Sequence, residues 1–201
     1  MVRPRIAIIL PTKNEENTIS DIILSLLNVG DLFIVDDCST DNTNELIRKF
    51  DVEIITNLNS MGYEKSIWKG IRHILSNNLK YDYIATFDAD GEHDPSFFKG
   101  LDLKDYDVVI AKRDKFNRIS EHIFSFFSKI YFNIEDMLSG LRVYKVSFLN
   151  EVENKIKFNF INIHILILSR LLKKKVYEKN MKVSFRKDKS RFGSGIKVNI
   201  Y

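Results

Sequence analysis

Short, unbroken apolar runs alternate with segments whose apolar positions recur every three to four residues through the first half of the chain. Ile6 to Leu10 and Leu32 to Val35 read as strands covered on both faces, and Val52 to Ile55, Tyr83 to Phe87 and Val108 to Ala111 continue the series. Between them, Asn17-Thr18-Ile19 opens a helix with Ile19, Ile22, Ile23, Leu26 and Leu27 on one side, ending at Gly30. Thr40-Asp41 caps a short helix running to Phe50, and Tyr63 to Leu75 forms another. Asp94-Pro95 reads as an N-cap followed by proline at the first helical position. Strands and helices of these lengths in alternation predict an α/β fold, a doubly wound, mainly parallel sheet flanked by helices. Ligands of such sheets sit beyond the carboxyl ends of the strands. Three polar loops fall there: Thr12 to Glu16, Asp36 to Thr40 and Asp88 to Asp94.

The second half is less regular. Ile119 to Phe132 is rich in aromatics, Leu141 to Val146 reads as a strand, Ile161 to Leu172 as a helix and Val176 to Phe185 as a strand-like ending. The stripe of Phe124, Phe126, Phe127 and Phe132 is either core packing or a face for a membrane interface. No repeat or linker divides the chain, so residues 1–201 are read as a single domain.

Composition changes this picture little: 44% hydrophobic and 29% charged residues are ordinary for a globular domain. A formal net charge of +4 is too mild to imply nucleic acid. Its distribution is uneven, with aspartates crowded into the first half and lysines and arginines into the last thirty residues. That suits a metal site in one part and a phosphate or membrane-surface contact in another, although a solvated basic face accounts for most of the lysines. The lone Cys38 allows no intrachain disulfide and fits a reducing cytoplasm. No stretch reaches the roughly 18 apolar residues of a spanning helix, which points to a soluble protein or one peripheral to a membrane.

The densest chemistry lies in Asp88-Ala89-Asp90-Gly91-Glu92-His93-Asp94. Carboxylates packed this closely repel one another unless a cation sits among them. Their hard oxygens suit Mg²⁺ or Mn²⁺, which can also bridge the phosphates of a nucleotide. A helix cap with solvated loop carboxylates is the plainer alternative. Asp36 and Asp37, at another strand end, can accept hydrogen bonds from a base or a ribose hydroxyl, or can serve a capping turn.

In order along the chain come Pro11-Thr12-x-Asn14-Glu15, Val35-Asp36-Asp37-x-Ser39-Thr40-Asp41, Asn59-x-x-Gly62-Tyr63-x-Lys65, Asp88-Ala89-Asp90-Gly91-x-His93-Asp94-Pro95 and Asp136-x-x-Ser139-Gly140-Leu141-Arg142. This order resembles the family 2 glycosyltransferases of GT-A fold, a Rossmann-like nucleotide-diphospho-sugar transferase architecture. Within them it is most similar to the dolichyl-phosphate mannosyltransferase and polyprenyl-phosphate glycosyltransferase branch, from about Ile6 to Lys197. The resemblance implies that Pro11, Thr12, Asn14, Glu15, Asp36 and Asp37 hold base and ribose, with Gly62 and Lys65 in the segment lining the nucleotide pocket. It places Asp88 and Ala89 against the nucleotide sugar and makes Asp88, Asp90 and Glu92 the metal-site carboxylates, with Asp90 the direct ligand. It makes Asp136 a general base in transfer to a hydroxyl, or a positioning group in transfer to a phosphate. Arg113 and Arg118 would suit a phosphate acceptor or else be surface arginines. Arg191, Gly193 and Lys197 resemble a loop that closes on the donor diphosphate. Cys38 and Glu64 stand where relatives commonly carry a small residue.

The activity implied is inverting, metal-dependent transfer from GDP-mannose or a UDP-sugar to a polyprenyl or dolichyl phosphate at the cytoplasmic membrane face. The alternatives are transfer to a sugar hydroxyl in polysaccharide or glycolipid synthesis, and a non-catalytic nucleotide-binding module.

Overall fold

The computed structural model describes residues 4–77, 79–116, 118–156 and 160–183. Its strands are β1 (Ile6–Thr12), β2 (Asp31–Asp36), β3 (Glu53–Thr56), β4 (Tyr83–Thr86), β5 (Val108–Arg113), β6 (Arg142–Lys145) and β7 (Val176–Met181). Its helices are α1 (Ile19–Leu26), α2 (Thr43–Ile47), α3 (Tyr63–Ser76), α4 (Ile119–Phe132), α5 (Val146–Val152) and α6 (Ile161–Leu171). The strands form one seven-stranded sheet in the order β3-β2-β1-β4-β6-β5-β7. The chain winds outward from β1 through β2 to β3, then returns to the other side of β1 as β4. The crevice between the carboxyl ends of β1 and β4 is therefore the switch point where doubly wound sheets bind ligands.

The sheet is mixed. β1 pairs in parallel with β2 and β4, β2 with β3 and β5 with β7, whereas β6 runs antiparallel between β4 and β5. The antiparallel insertion delivers Arg142 beside Thr86, at the carboxyl end of β4. The strand expected through Val146 stops at Lys145 and turns at once into α5, an element absent from the sequence reading.

Strand alternation divides the core into two layers. Ala7, Ile9, Phe33 and Val35 face α3 and α6 through Ile67, Ile71 and Ile165. Ile8, Leu10 and Ile34 face α1 and α2 through Ile19, Ile23, Leu26 and Ile47. Gly70 brings α3 close to the sheet, since a Cβ there would stand 2.8 Å from Ile9 and 3.1 Å from Val35. Asp94 does cap the segment begun by Pro95, accepting a hydrogen bond from the Ser96 N–H, but that segment is a single 3-10 turn over Pro95–Phe98. The aromatic segment after β5 is α4, and most of its large apolar side chains lie outside the core. Ile119 is 78% and Tyr131 73% exposed, and Ile123, Phe126, Phe127 and Ile130 are more than half exposed.

Candidate functional site

Side chain and backbone bonds tie the loops after β1, β2 and β4 to one another. Asn14, in the left-handed region at φ 51°, donates its N–H to Ser39 Oγ and accepts the Thr40 N–H on its side-chain oxygen. The Glu15 N–H donates to Thr43 Oγ1 at 2.8 Å, and Glu16 accepts from the N–H and the side chain of Asn42. Thr18 uses its hydroxyl to bond the Ala89 carbonyl at 2.6 Å instead of capping α1. Three chain segments far apart in sequence thus form one rigid rim.

Beneath the rim lies a cavity of ≈ 660 Å³. Pro11, Thr12, Asn14, Glu15, Asp37, Gly62, Asp88, Ala89 and Asp90 line it, all of them singled out in the sequence. The size suits a small organic ligand. Asp36 and Lys65 are not on its wall. Asp36 points away from it, buried, and accepts from the Ser39 N–H and from the Asn44 side chain, so it holds the turn after β2. Lys65 is exposed on α3. Arg191, Gly193 and Lys197 lie outside the described residues.

Asp37 is buried and saturated. Burial works to raise its pKa, but hydrogen bonds from the Met61 N–H, the Asn57 amide, the Ser60 hydroxyl and the Gly62 N–H prevail and hold it at about 2. It fixes the loop that leads into α3. Cys38, the next residue, sits at φ 61°, a backbone conformation costly for any residue but glycine or asparagine.

Asp88 is oriented from three sides. The Tyr63 hydroxyl donates to its Oδ1 at 2.5 Å, and His93 Nε2 lies 3.6 Å from its Oδ2. A Cβ on Gly140 would come within 2.1 Å of the same carboxylate, so only glycine leaves it this position. The Thr86 hydroxyl holds the Gly140 carbonyl at 2.7 Å, which keeps the glycine against Asp88. The Asp88 N–H donates to His93 Nδ1, leaving the proton of the neutral ring on the nitrogen that faces the carboxylate.

Among the described residues no three His, Cys, Asp or Glu side chains stand together as a metal cage. The expected grouping of Asp88, Asp90 and Glu92 is therefore not assembled. Asp88 and Asp90 line the cavity, while Glu92 lies off its wall, with its charge acting on Arg113. Two hard carboxylates still fit Mg²⁺ or Mn²⁺, because such ions are commonly held by one or two carboxylates with the remaining ligands from phosphate and water.

The expected acceptor residues are arranged differently from the sequence reading. Asp136, 1% exposed, takes the Arg113 guanidinium through two bonds of 2.9 and 3.0 Å and also accepts the N–H groups of Arg113 and Leu138. Both of its oxygens are committed, and it does not line the cavity. Burial would lower the Arg113 pKa, but Asp136 and Glu121 raise it, keeping the guanidinium charged inside the fold. Arg118 opens α4, where its N–H donates to Glu121. Neither arginine is on the cavity wall; Arg113 acts as a clasp between β5, α4 and the loop before β6, and Arg118 caps α4.

Among the other wall residues, Tyr63 and Arg142 belong to the motifs quoted from the sequence but had no role assigned to them, and Leu138, Asn162 and Ile163 escaped the sequence reading. The signal for two of them was present. Arg142 is a charge inside an apolar strand, and Asn162 is an amide inside an apolar helix. Arg142 is 2% exposed, with its guanidinium donating to the Met137 carbonyl and the Tyr144 hydroxyl.

Comparison with known proteins agrees with this geometry. Residues 7–159 match the model of Glycosyl transferase family 2. An uncharacterized protein of Methanocaldococcus jannaschii is 32% identical over 170 residues, covering 72% of this chain and 73% of that one. Glycosyltransferase AglJ of Haloferax volcanii is 28% identical over 162 residues, 72% of this chain and 52% of that protein. Among solved structures, glucosyl-3-phosphoglycerate synthase of Mycobacterium tuberculosis, in complex with Mn²⁺, UDP and glucosyl-3-phosphoglycerate, superposes with a TM-score of 0.71 at 18% identity, over 93% of this chain and 73% of that one. The same enzyme with Mg²⁺ and UDP gives 0.71 at 19% identity. The fold is that of the GT-A glycosyltransferases.

Proposed function

The chain belongs to glycosyl transferase family 2, and from that premise we propose that it transfers a sugar, with inversion, from GDP-mannose or a UDP-sugar to a polyprenyl-type lipid phosphate at the cytoplasmic face of a membrane. The β1–β2 rim with Asp37 and Asn14 receives the nucleoside, and Asp88 and Asp90 stand beside the diphosphate. A Mg²⁺ or Mn²⁺ held by Asp88 and Asp90 would supply positive charge against the departing diphosphate. The acceptor oxygen attacks the anomeric carbon as the bond from that carbon to the diphosphate oxygen breaks.

The observation that carries the acceptor is α4. A 14-residue helix with six large apolar side chains more than half exposed has a water-facing surface suited to an apolar phase. The clasped state of Asp136 supports the same reading. A hydroxyl acceptor calls for a base, and both oxygens of this carboxylate are taken. A phosphate monoester oxygen is already ionised near neutral pH and needs none.

The test is transfer of label from UDP-glucose and GDP-mannose, with Mn²⁺, into vesicles carrying polyprenyl phosphate. Label in the lipid fraction is the expected result. Label only in soluble or polysaccharide products would favour a hydroxyl acceptor. Nucleotide binding without any transfer would favour a non-catalytic module.

A further inference from the structure

Sheet order puts β4, with Asp88, between β1 on the nucleoside side and β6 on the other. Whatever hangs from the far end of a diphosphate at Asp88 therefore meets the wall formed by Glu64, Arg142 and Asn162. Glu64 stands on the first turn of α3, next to Tyr63, and its Oε2 accepts the Asn162 N–H of α6 at 2.8 Å. The Asn162 bonds use only part of the acceptor capacity of a carboxylate. Its charge and that of Arg142 act on each other across this wall.

Among the described residues, two buried polar atoms belonging to residues of this wall have no partner: Arg142 Nε, a donor, and Asn162 Oδ1, an acceptor. Both residues are buried, at 2% and 4% exposed. Unmatched buried polar atoms are rare, and a pair of opposite kind in residues that line a cavity suits a ligand that both accepts and donates. Hydroxyls do so. Charge narrows the class further. Seven carboxylates line the cavity against two cations, Lys13 and Arg142, and the latter is already balanced by Glu64.

We propose that Glu64 is a specificity-determining residue: with Arg142 and Asn162 it forms a subsite for a neutral, polyhydroxylated sugar ring and bars sugars that carry an acidic group. This rests on the nucleotide-sugar reading above. An acidic sugar would bring a second negative charge against Glu64 on a wall that, among the described residues, already sets seven carboxylates against Lys13 and Arg142.

The experiment is calorimetric titration of wild type and Glu64→Gln with two matched pairs, UDP-glucose against UDP-glucuronate and GDP-mannose against GDP-mannuronate, each normalised to its bare nucleotide. Glutamine keeps the acceptor for the Asn162 N–H and the side-chain volume, and removes only the charge. Wild type should favour the neutral member by about tenfold, and Glu64→Gln should narrow that preference to about threefold or less. Equal wild-type affinity for both members overturns the proposal even if the variant fails to fold, as does an unchanged preference in a folded variant. Failure to bind either bare nucleotide overturns the nucleotide-sugar reading, and this subsite with it. Nucleotide binding with no discrimination overturns the subsite alone.

Discussion

The rim formed after β1, β2 and β4 and the flank formed by α4 are built by opposite means. On the rim nearly every polar side chain has a partner inside the protein, down to the four groups that hold Asp37 and the glycine pressed against Asp88. On the flank, α4 contributes a single buried residue, Ser128, and turns its isoleucines and aromatics outward. A site that must place a diphosphate benefits from order set before the ligand arrives. A surface that meets a fluid apolar phase needs area and little geometry. Under the proposed transfer to a lipid phosphate the two regions would divide the work: one positions, the other docks.

The sharpest way to break the rim half of this contrast is Gly140→Ala. The added methyl must displace the Asp88 carboxylate from its place under Tyr63. A shift of about 1 Å in a reacting group can cost roughly 100-fold. Turnover should fall by about that factor, and Mn²⁺-dependent nucleotide binding should weaken, with the thermal transition still cooperative. Activity within about threefold of wild type would mean that Asp88 tolerates movement and that the rim is less exacting than it looks.

Asp136→Asn tests the clasp that ties α4 to β5 and the loop before β6. Removing one partner of a buried ion pair costs about 3 kcal/mol, which urea unfolding would register. Transfer per folded molecule should survive. Its abolition in a protein that is still folded would return Asp136 to the role of base and favour a hydroxyl acceptor.

Asp37 gives the rim a signature in pH. Its folded pKa of about 2 lies below the ordinary 3.8, so its hydrogen bonds stabilise the fold above pH 4, and that contribution is lost as pH falls toward 2. Asp37→Asn should therefore be less stable than wild type by roughly 2 kcal/mol near neutrality. The gap should close between about pH 4 and pH 2. A gap independent of pH would show that the loop is held by packing instead.

How far these features could be read in advance depended on their physical origin. The two-layer core was legible because the unbroken runs Ile6 to Leu10 and Leu32 to Val35 are too short for core helices and read as strands covered on both faces. The reversal at β6 was not, since four residues from Arg142 to Lys145 carry no mark of strand direction. Asp36 and Asp37 are neighbours of the same chemistry, and only strand register decides that the second lines the cavity while the first is buried behind it. Arg113 and Asp136 each suit catalysis by residue type. Their pairing across 23 residues is a tertiary fact. Arg142 closed a motif without a role of its own, and Asn162 was visible only as a polar interruption of an apolar run, a signal that marks burial without saying beside what.

The flank half of the contrast is tested by Phe126→Ser combined with Ile130→Ser. Both side chains are largely exposed, so fold stability should stay within about 0.5 kcal/mol of wild type. Affinity for lipid vesicles in a sedimentation assay should drop by at least about tenfold, since two buried apolar side chains are worth more than that when they leave water. Unchanged vesicle affinity would remove α4 as the docking face.

The smallest effect returns to the rim and asks whether all of its order is strain-free. Cys38 holds a left-handed backbone that costs a residue with a Cβ roughly 1–2 kcal/mol. Its thiol recovers little, through one weak contact with the Asn57 carbonyl at 3.2 Å. Glycine adopts the same backbone without the clash but loses more freedom on folding, by about 0.5–1 kcal/mol. Cys38→Gly should therefore stabilise the protein by less than about 1 kcal/mol, a rise in Tm of a few degrees at most. A fall of the same size would mean that the thiol contact outweighs the backbone conformation, and that this corner of the rim, like Asp37 beside it, is held by its side chain.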